Sequence, residues 1–141
     1  MLSYLIYTSK HSGISDDEIS DILDKARENN SSADVTGMLI STNNHFIQYL
    51  EGERKNISLI YNKISLDKRH SDIELVKCED LAKTRLFRNW SMAQLEDNKK
   101  TRKILDEHKI GVKSFSEMPS DEILDVFIKI SVLYTLDFKT K

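Results

Sequence analysis

The stretch Val35-Thr36-Gly37-Met38-Leu39-Ile40-Ser41-Thr42-Asn43-Asn44-His45-Phe46-Ile47-Gln48-Tyr49-Leu50-Glu51-Gly52 decides the architecture. Two apolar, strand-like runs, Val35 to Thr42 and His45 to Glu51, meet at Asn43-Asn44. Asparagine tolerates positive φ, so the pair predicts a tight hairpin. Strand parity places Gln48 on the face shared by Phe46 and Leu50, an amide in an apolar row. Each buried amide group left without a partner costs roughly 1–3 kcal/mol. Gln48 therefore either ties its strand to a neighbouring loop as a structural residue, or it serves chemistry.

Upstream, Leu2 to Ser9 alternates as a strand, with Tyr4, Ile6 and Thr8 on one face and Leu5, Tyr7 and Ser9 on the other. Ser15-Asp16-Asp17-Glu18 is a capping box, and Ile19, Ile22, Leu23 and Ala26 form one helical stripe behind it. That helix is expected to end near Asn29-Asn30. Downstream of Gly52, Ile57, Ile60, Tyr61 and Ile64 define a second amphipathic helix reaching about Asp67. Ile73 to Cys78 and Ser91 to Leu95 read as further strands. The order βαββαββ predicts an α+β, ferredoxin-like fold: a five-stranded mixed sheet with two helices on one face.

The last third is helical. Asn98 to His108 is highly charged, and Ser120 can cap a final helix carrying Ile123, Leu124, Phe127, Ile128, Ile130, Leu133 and Leu136. These apolar residues exceed one narrow stripe, so the helix is expected to meet two surfaces, the bare sheet face and a second subunit being the candidates. The expected organisation is a domain over residues 1–96 and a C-terminal helical cap over 97–141 packed on it.

Composition narrows the function. Over 141 residues, Lys+Arg 21 against Asp+Glu 23 gives a net charge of -2, which argues against direct nucleic-acid or membrane binding. The lone Cys78 forms no internal disulfide, and the N-terminus lacks the features of a signal peptide, so a cytoplasmic protein is expected. Gly13, Gly37, Gly52 and Gly111 are too dispersed for a phosphate-binding loop. His11, His45, His70 and His108 form no metal-binding spacing, and no serine sits in a nucleophile elbow. The chain is not expected to be an enzyme in its own right. Any chemistry should come with a cofactor.

Taken together, Tyr7-Thr8-Ser9, Asn30, Val35-Thr36-Gly37, Phe46-Ile47-Gln48-Tyr49-Leu50-Glu51-Gly52, Asp67-Lys68-Arg69-His70 and Trp90-Ser91-Met92 resemble a BLUF domain, a sensor of blue light using FAD. The resemblance runs from about Leu2 to Leu95, with the F-x-Q-x-L-E-G strand end as its most specific element. It implies a non-covalently bound FAD, with FMN or riboflavin as alternatives, lying between the two helices. Ile22 and Ile64 would pack on the ring faces, Asn30 would bond the carbonyl edge, and Arg69 or His70 would approach from the second helix. Gln48 would bridge Tyr7 and the flavin. Tyr7 would give up an electron after illumination while its proton passes through Gln48, leaving Gln48 rotated or tautomerised and the absorption shifted to the red. Trp90 and Met92 would relay that change; the resemblance leaves open which of them faces the flavin.

The short stand-alone type that this chain resembles implies a homo-oligomer that signals to a separate partner protein, with no output domain expected after Lys141. Two competing readings remain on the same scaffold. A flavin-binding enzyme would need an acid or base beside the cofactor, and a cofactor-free interaction module would leave Tyr7 and Gln48 merely satisfying each other.

Overall fold

The structure, a computed structural model, describes residues 1–81 and 84–140, with side chains described as far as residue 135. The elements follow the order β1 (Leu2–Lys10), α1 (Asp16–Ser32), β2 (Thr36–Ser41), β3 (His45–Glu53), α2 (Arg54–Ser65), β4 (Ser71–Asp80) and β5 (Ala93–Gln94). The sheet order is β4-β1-β3-β2-β5. β5 runs parallel to β2, and the other pairs are antiparallel. This is the mixed five-stranded α+β plan that the hydrophobic periodicity predicts.

Register sets the functional face. Gln48 on central β3 lies opposite Tyr7 on β1 and opposite Leu39 on β2. Leu5, Tyr7, Leu39, Phe46 and Leu50 of the sheet pack with Leu23 of α1 and Ile57 and Ile60 of α2 in one cluster. Both helices therefore cover the same face. On the other face Tyr4 stacks on Tyr49 at 5.6 Å, and Phe87 meets Tyr49 edge-on at the same separation.

Local chemistry explains where the elements start and stop. Ser15 accepts the Glu18 N–H, and Glu18 accepts the Ser15 N–H, closing the capping box of α1. α1 runs on to Ser32, past the expected end at Asn29-Asn30, because the Asn29 and Asn30 carbonyls still accept the Ala33 N–H. The chain then reverses at Asp34, which adopts a left-handed φ of 53°. The β2–β3 hairpin forms as expected but for a different reason. Neither Asn43 nor Asn44 has positive φ; Thr42 closes the turn, donating its N–H to the His45 carbonyl and accepting the His45 N–H on Oγ1.

β5 is shorter than the expected Ser91 to Leu95, because its preceding carbonyls are taken. The Trp90 carbonyl accepts from Gly37 N at 3.1 Å, that of Ser91 from Asn30 Nδ2 at 2.7 Å and that of Met92 from Arg27 Nε at 3.0 Å. Three successive residues are thus anchored outside a regular ladder.

The chain divides into two compact units, Met1–Gln94 and Leu95–Lys141. In the second, α3 (Lys99–Glu107) and α4 (Ser120–Thr140) pack together. Asn98 caps α3 through the Thr101 N–H, and Lys129 lies 2.9 Å from His108 Nε2. Ile128 and Val132, one turn apart on α4, are exposed, whereas Ile123, Phe127 and Ile130 are buried. The Leu136 side chain lies outside the described residues. Among the described residues no helix is long and apolar enough to cross a membrane.

Candidate functional site

Between α1 and α2, over the centre of the sheet, lies a cavity of about 820 Å³. That falls within the roughly 300–1,000 Å³ typical of ligand and cofactor pockets. Ile22, Ala26 and Asn30 of α1 form one wall, and Ile60 and Ile64 of α2 the other. Tyr7, Leu39, Gln48 and Met92 also line it, as do Arg69 and His70 beyond α2. The apolar helix stripes supply slot walls fit for a flat, largely apolar ring.

Polar groups converge there. Tyr7 is fully buried, and its hydroxyl donates to Gln48 Oε1. Gln48 Nε2 donates in turn to Met92 Sδ at 3.3 Å. Burial pushes the Tyr7 phenol well above its ordinary range, with the neighbouring Tyr61 and Asp67 adding to the rise. The phenol therefore stays protonated at any physiological pH. A proton on Tyr7 has one bonded acceptor, Gln48 Oε1.

Asn30 lies in the last turn of α1, 1% exposed. Its Nδ2 is committed to the Ser91 carbonyl, but its Oδ1 is buried without a hydrogen-bond partner. An orphaned buried acceptor costs free energy unless something supplies a donor. An imide N–H of a ligand in the cavity would do so. Of the two relay candidates, Met92 lines the cavity and touches Gln48, whereas half-buried Trp90 stands outside that lining.

The far side of the cavity is held by charge. Arg69 makes a fork to Asp67 and reaches Asp21 of α1 at 2.8 Å. That fork holds the Asp67 carboxyl down at about 2. His70 Nδ1 lies 2.8 Å from Ser9 Oγ, and its ring meets those of Phe46 and Tyr7 at 5.2 and 6.3 Å. Burial lowers the His70 imidazole below its ordinary value, so a neutral ring borders the cavity.

All the expected cofactor-binding residues, Ile22, Asn30, Gln48, Ile64, Arg69 and His70, thus line this one cavity. Two further residues carry weight that the sequence reading did not assign. Arg27 lies three residues before Asn30 on α1, an exposed residue whose Nε still reaches the Met92 carbonyl. Glu51 is fully buried and accepts the Leu86 and Phe87 N–H groups at 2.7 Å each, and the Thr36 hydroxyl at 2.9 Å. Its signal was an acid inside an apolar strand.

Fold and site together define a small α+β module in which a buried phenol–amide pair lines a cavity between two helices. The family model described as BLUF, sensors of blue light using FAD, matches residues 2–93, and the chain belongs to that family. The blue light- and temperature-regulated antirepressor BluF of Escherichia coli (strain K12) is 40% identical over 91 residues, 62% of this chain and 22% of the relative. The chain thus spans about a fifth of that protein's length. A structure of BlsA in its photo-activated state superposes with a TM-score of 0.81 at 23% identity, covering 94% of this chain and 96% of that one. A bacterial light-regulated adenylyl cyclase gives 0.71 at 32% identity, covering 89% of this chain and 36% of the cyclase.

The chain is accordingly a blue-light sensor domain whose family cofactor is FAD. The residues present fit that group. The slot takes a flat ring, and the orphaned Asn30 Oδ1 calls for a donor of the kind a flavin imide offers.

Proposed function

We propose that Tyr7 and Gln48 form the photochemical switch and that Met92 is its first reporter. The single observation that carries this reading is the continuous bonded chain from the Tyr7 hydroxyl through the Gln48 carboxamide to Met92 Sδ. When bound, the flavin supplies blue-light absorption and an excited state that accepts an electron. Tyr7 is the readily oxidised side chain on the cavity lining, and its proton is already directed at Gln48 Oε1. Loss of an electron makes a phenol strongly acidic, so its proton would pass along the existing bond to Gln48, and back-transfer of the electron and proton would restore both redox partners while leaving Gln48 rearranged. Gln48 carries donor and acceptor on one short amide, and rotation or tautomerisation exchanges their places at almost constant volume. Nε2 then leaves Met92 Sδ. A two-state amide at the head of the 90–92 segment is a small switch able to bias a larger element.

Asn30 holds the ring's carbonyl edge in this reading, Ile22 and Ile64 its faces, and Arg69 with His70 the opposite side. Trp90, beside the switch rather than in it, reports the movement. The Leu95–Lys141 unit follows β5 directly along the chain and is the output element. It acts by binding a separate protein in the cytoplasm, and a homo-oligomer forms through the exposed Ile128 and Val132 of α4. The relatives support signalling through further protein, since the antirepressor and the cyclase both extend well beyond the matched part.

The test is the absorption spectrum in the dark and after blue light. A yellow protein with a small reversible red shift is expected. Gln48→Leu should keep the flavin and lose the shift, and Tyr7→Phe should lose normal photocycling. A full shift in Gln48→Leu would overturn the switch, and a protein still colourless after adding FAD would overturn flavin binding.

A further inference from the structure

We propose that Arg27 is a positioning residue for the signalling step, clamping the Met92 main chain to α1 so that events at Gln48 displace the 90–92 segment as one body. The inference rests on the switch just described and gives it a second point of attachment.

Met92 is held at both ends. Its sulfur accepts from Gln48 Nε2, and its carbonyl accepts from Arg27 Nε at 3.0 Å. One residue earlier, the Ser91 carbonyl accepts from Asn30 Nδ2 at 2.7 Å. Arg27 and Asn30 are three residues apart on α1 and so share a face. One helix therefore grips two consecutive carbonyls of the segment that leads into β5. A free main-chain segment would let the Met92 thioether swing alone once Gln48 lets go. A gripped one passes the change into the backbone.

Arg27 is available for this task. It stands outside the cavity lining, so it is not part of the cofactor site. Its ion pair with Asp24 is long at 3.7 Å and well exposed, which makes the carbonyl its principal partner. A guanidinium donor also gives a charge-assisted bond, stronger than a neutral one. Trp90, two residues from the clamped carbonyl, is the only tryptophan in the chain and serves as a built-in reporter.

The experiment compares flavin-loaded wild type, Arg27→Ala and Arg27→Lys, following flavin absorption and Trp90 fluorescence through the light–dark cycle. Arg27→Ala should keep the full red shift, because Tyr7 and Gln48 are untouched. Its light-induced Trp90 change should fall by at least half. Dark recovery should run about five- to tenfold faster, the scale set by one lost, partly solvent-exposed hydrogen bond. Arg27→Lys, which still offers a cationic donor, should restore most of both. A wild-type Trp90 response and recovery in Arg27→Ala would overturn the clamp. Loss of the red shift in wild type itself would instead overturn the underlying switch, so the two failures are distinguishable. A lowered melting temperature in Arg27→Ala with an unchanged Trp90 response would make the residue structural only and would also overturn the proposal.

Discussion

Gln48 is held between two neighbours, one on each half of its amide. Gln48 Oε1 accepts from the Tyr7 hydroxyl and Gln48 Nε2 donates to Met92 Sδ, so the orientation of the amide is defined on both sides. The residue was legible because strand parity exposes an amide in an apolar row. Asn30 was legible only as a helix-end residue; what the sequence hides is that one half of its amide is spent on Ser91 and the other half is orphaned. Asn30→Ala should weaken flavin binding about tenfold, the equivalent of one hydrogen bond, measurable by titrating the apoprotein with FAD. His70 carries a pH dependence. Its imidazole is held below the ordinary value chiefly by burial, so the folded protein binds that proton less readily than the unfolded chain. Its contribution to stability is present above the ordinary histidine pKa of about 6.5 and is lost as pH falls through the lowered folded value. The melting temperature of the apoprotein should drop between pH 7 and pH 5 more steeply in wild type than in His70→Gln. Parallel slopes would show that His70 is not the titrating group.

At the scale of elements, the two strands of the β2–β3 hairpin were readable from their apolar runs, whereas the turn is closed by Thr42 rather than by positive φ at Asn43 or Asn44. The segment from Leu86 to Met92 was not readable. It has almost no ladder of its own and is fixed by partners distant in sequence: Glu51 for the N–H groups of Leu86 and Phe87, Gly37, Asn30 and Arg27 for three carbonyls. No local pattern encodes such long-range pairing. Gly37 shows how tight the arrangement is. A Cβ there would lie 2.1 Å from the Tyr49 carbonyl oxygen and 3.2 Å from Met92 Cε. Because the nearer obstacle is backbone, Gly37→Ala should cost about 1–3 kcal/mol in chemical denaturation, with Met92 displaced from Gln48. Glu51→Ala should cost about as much or more, since it leaves the buried Phe87 N–H and the half-buried Leu86 N–H unmatched. Glu51→Gln, which keeps one acceptor oxygen, should cost less.

For the whole molecule, periodicity correctly gave two helices on one sheet face, and the register then brings residues from β1, β3, α1 and the β5 approach into one cavity. The final helix was foreseen as apolar on more than one side, and Ile128 and Val132 are indeed left exposed. If they carry self-association, Val132→Glu should shift the species seen in sedimentation velocity toward monomer while leaving the flavin spectrum unchanged. An unchanged distribution would move the contact elsewhere.

The ion pair between Arg69 and Asp21 joins the two walls of the cavity, one partner on α1 and the other beyond α2. Asp21 is largely exposed, so dissolved salt screens this bond far more than it disturbs the buried switch. Exchange kinetics and photochemistry are thereby separated. Cofactor loading and escape should both quicken as ionic strength rises, while the size of the spectral shift stays constant. A rise in surrounding salt would alter how quickly the sensor is refilled, not how it answers light once filled.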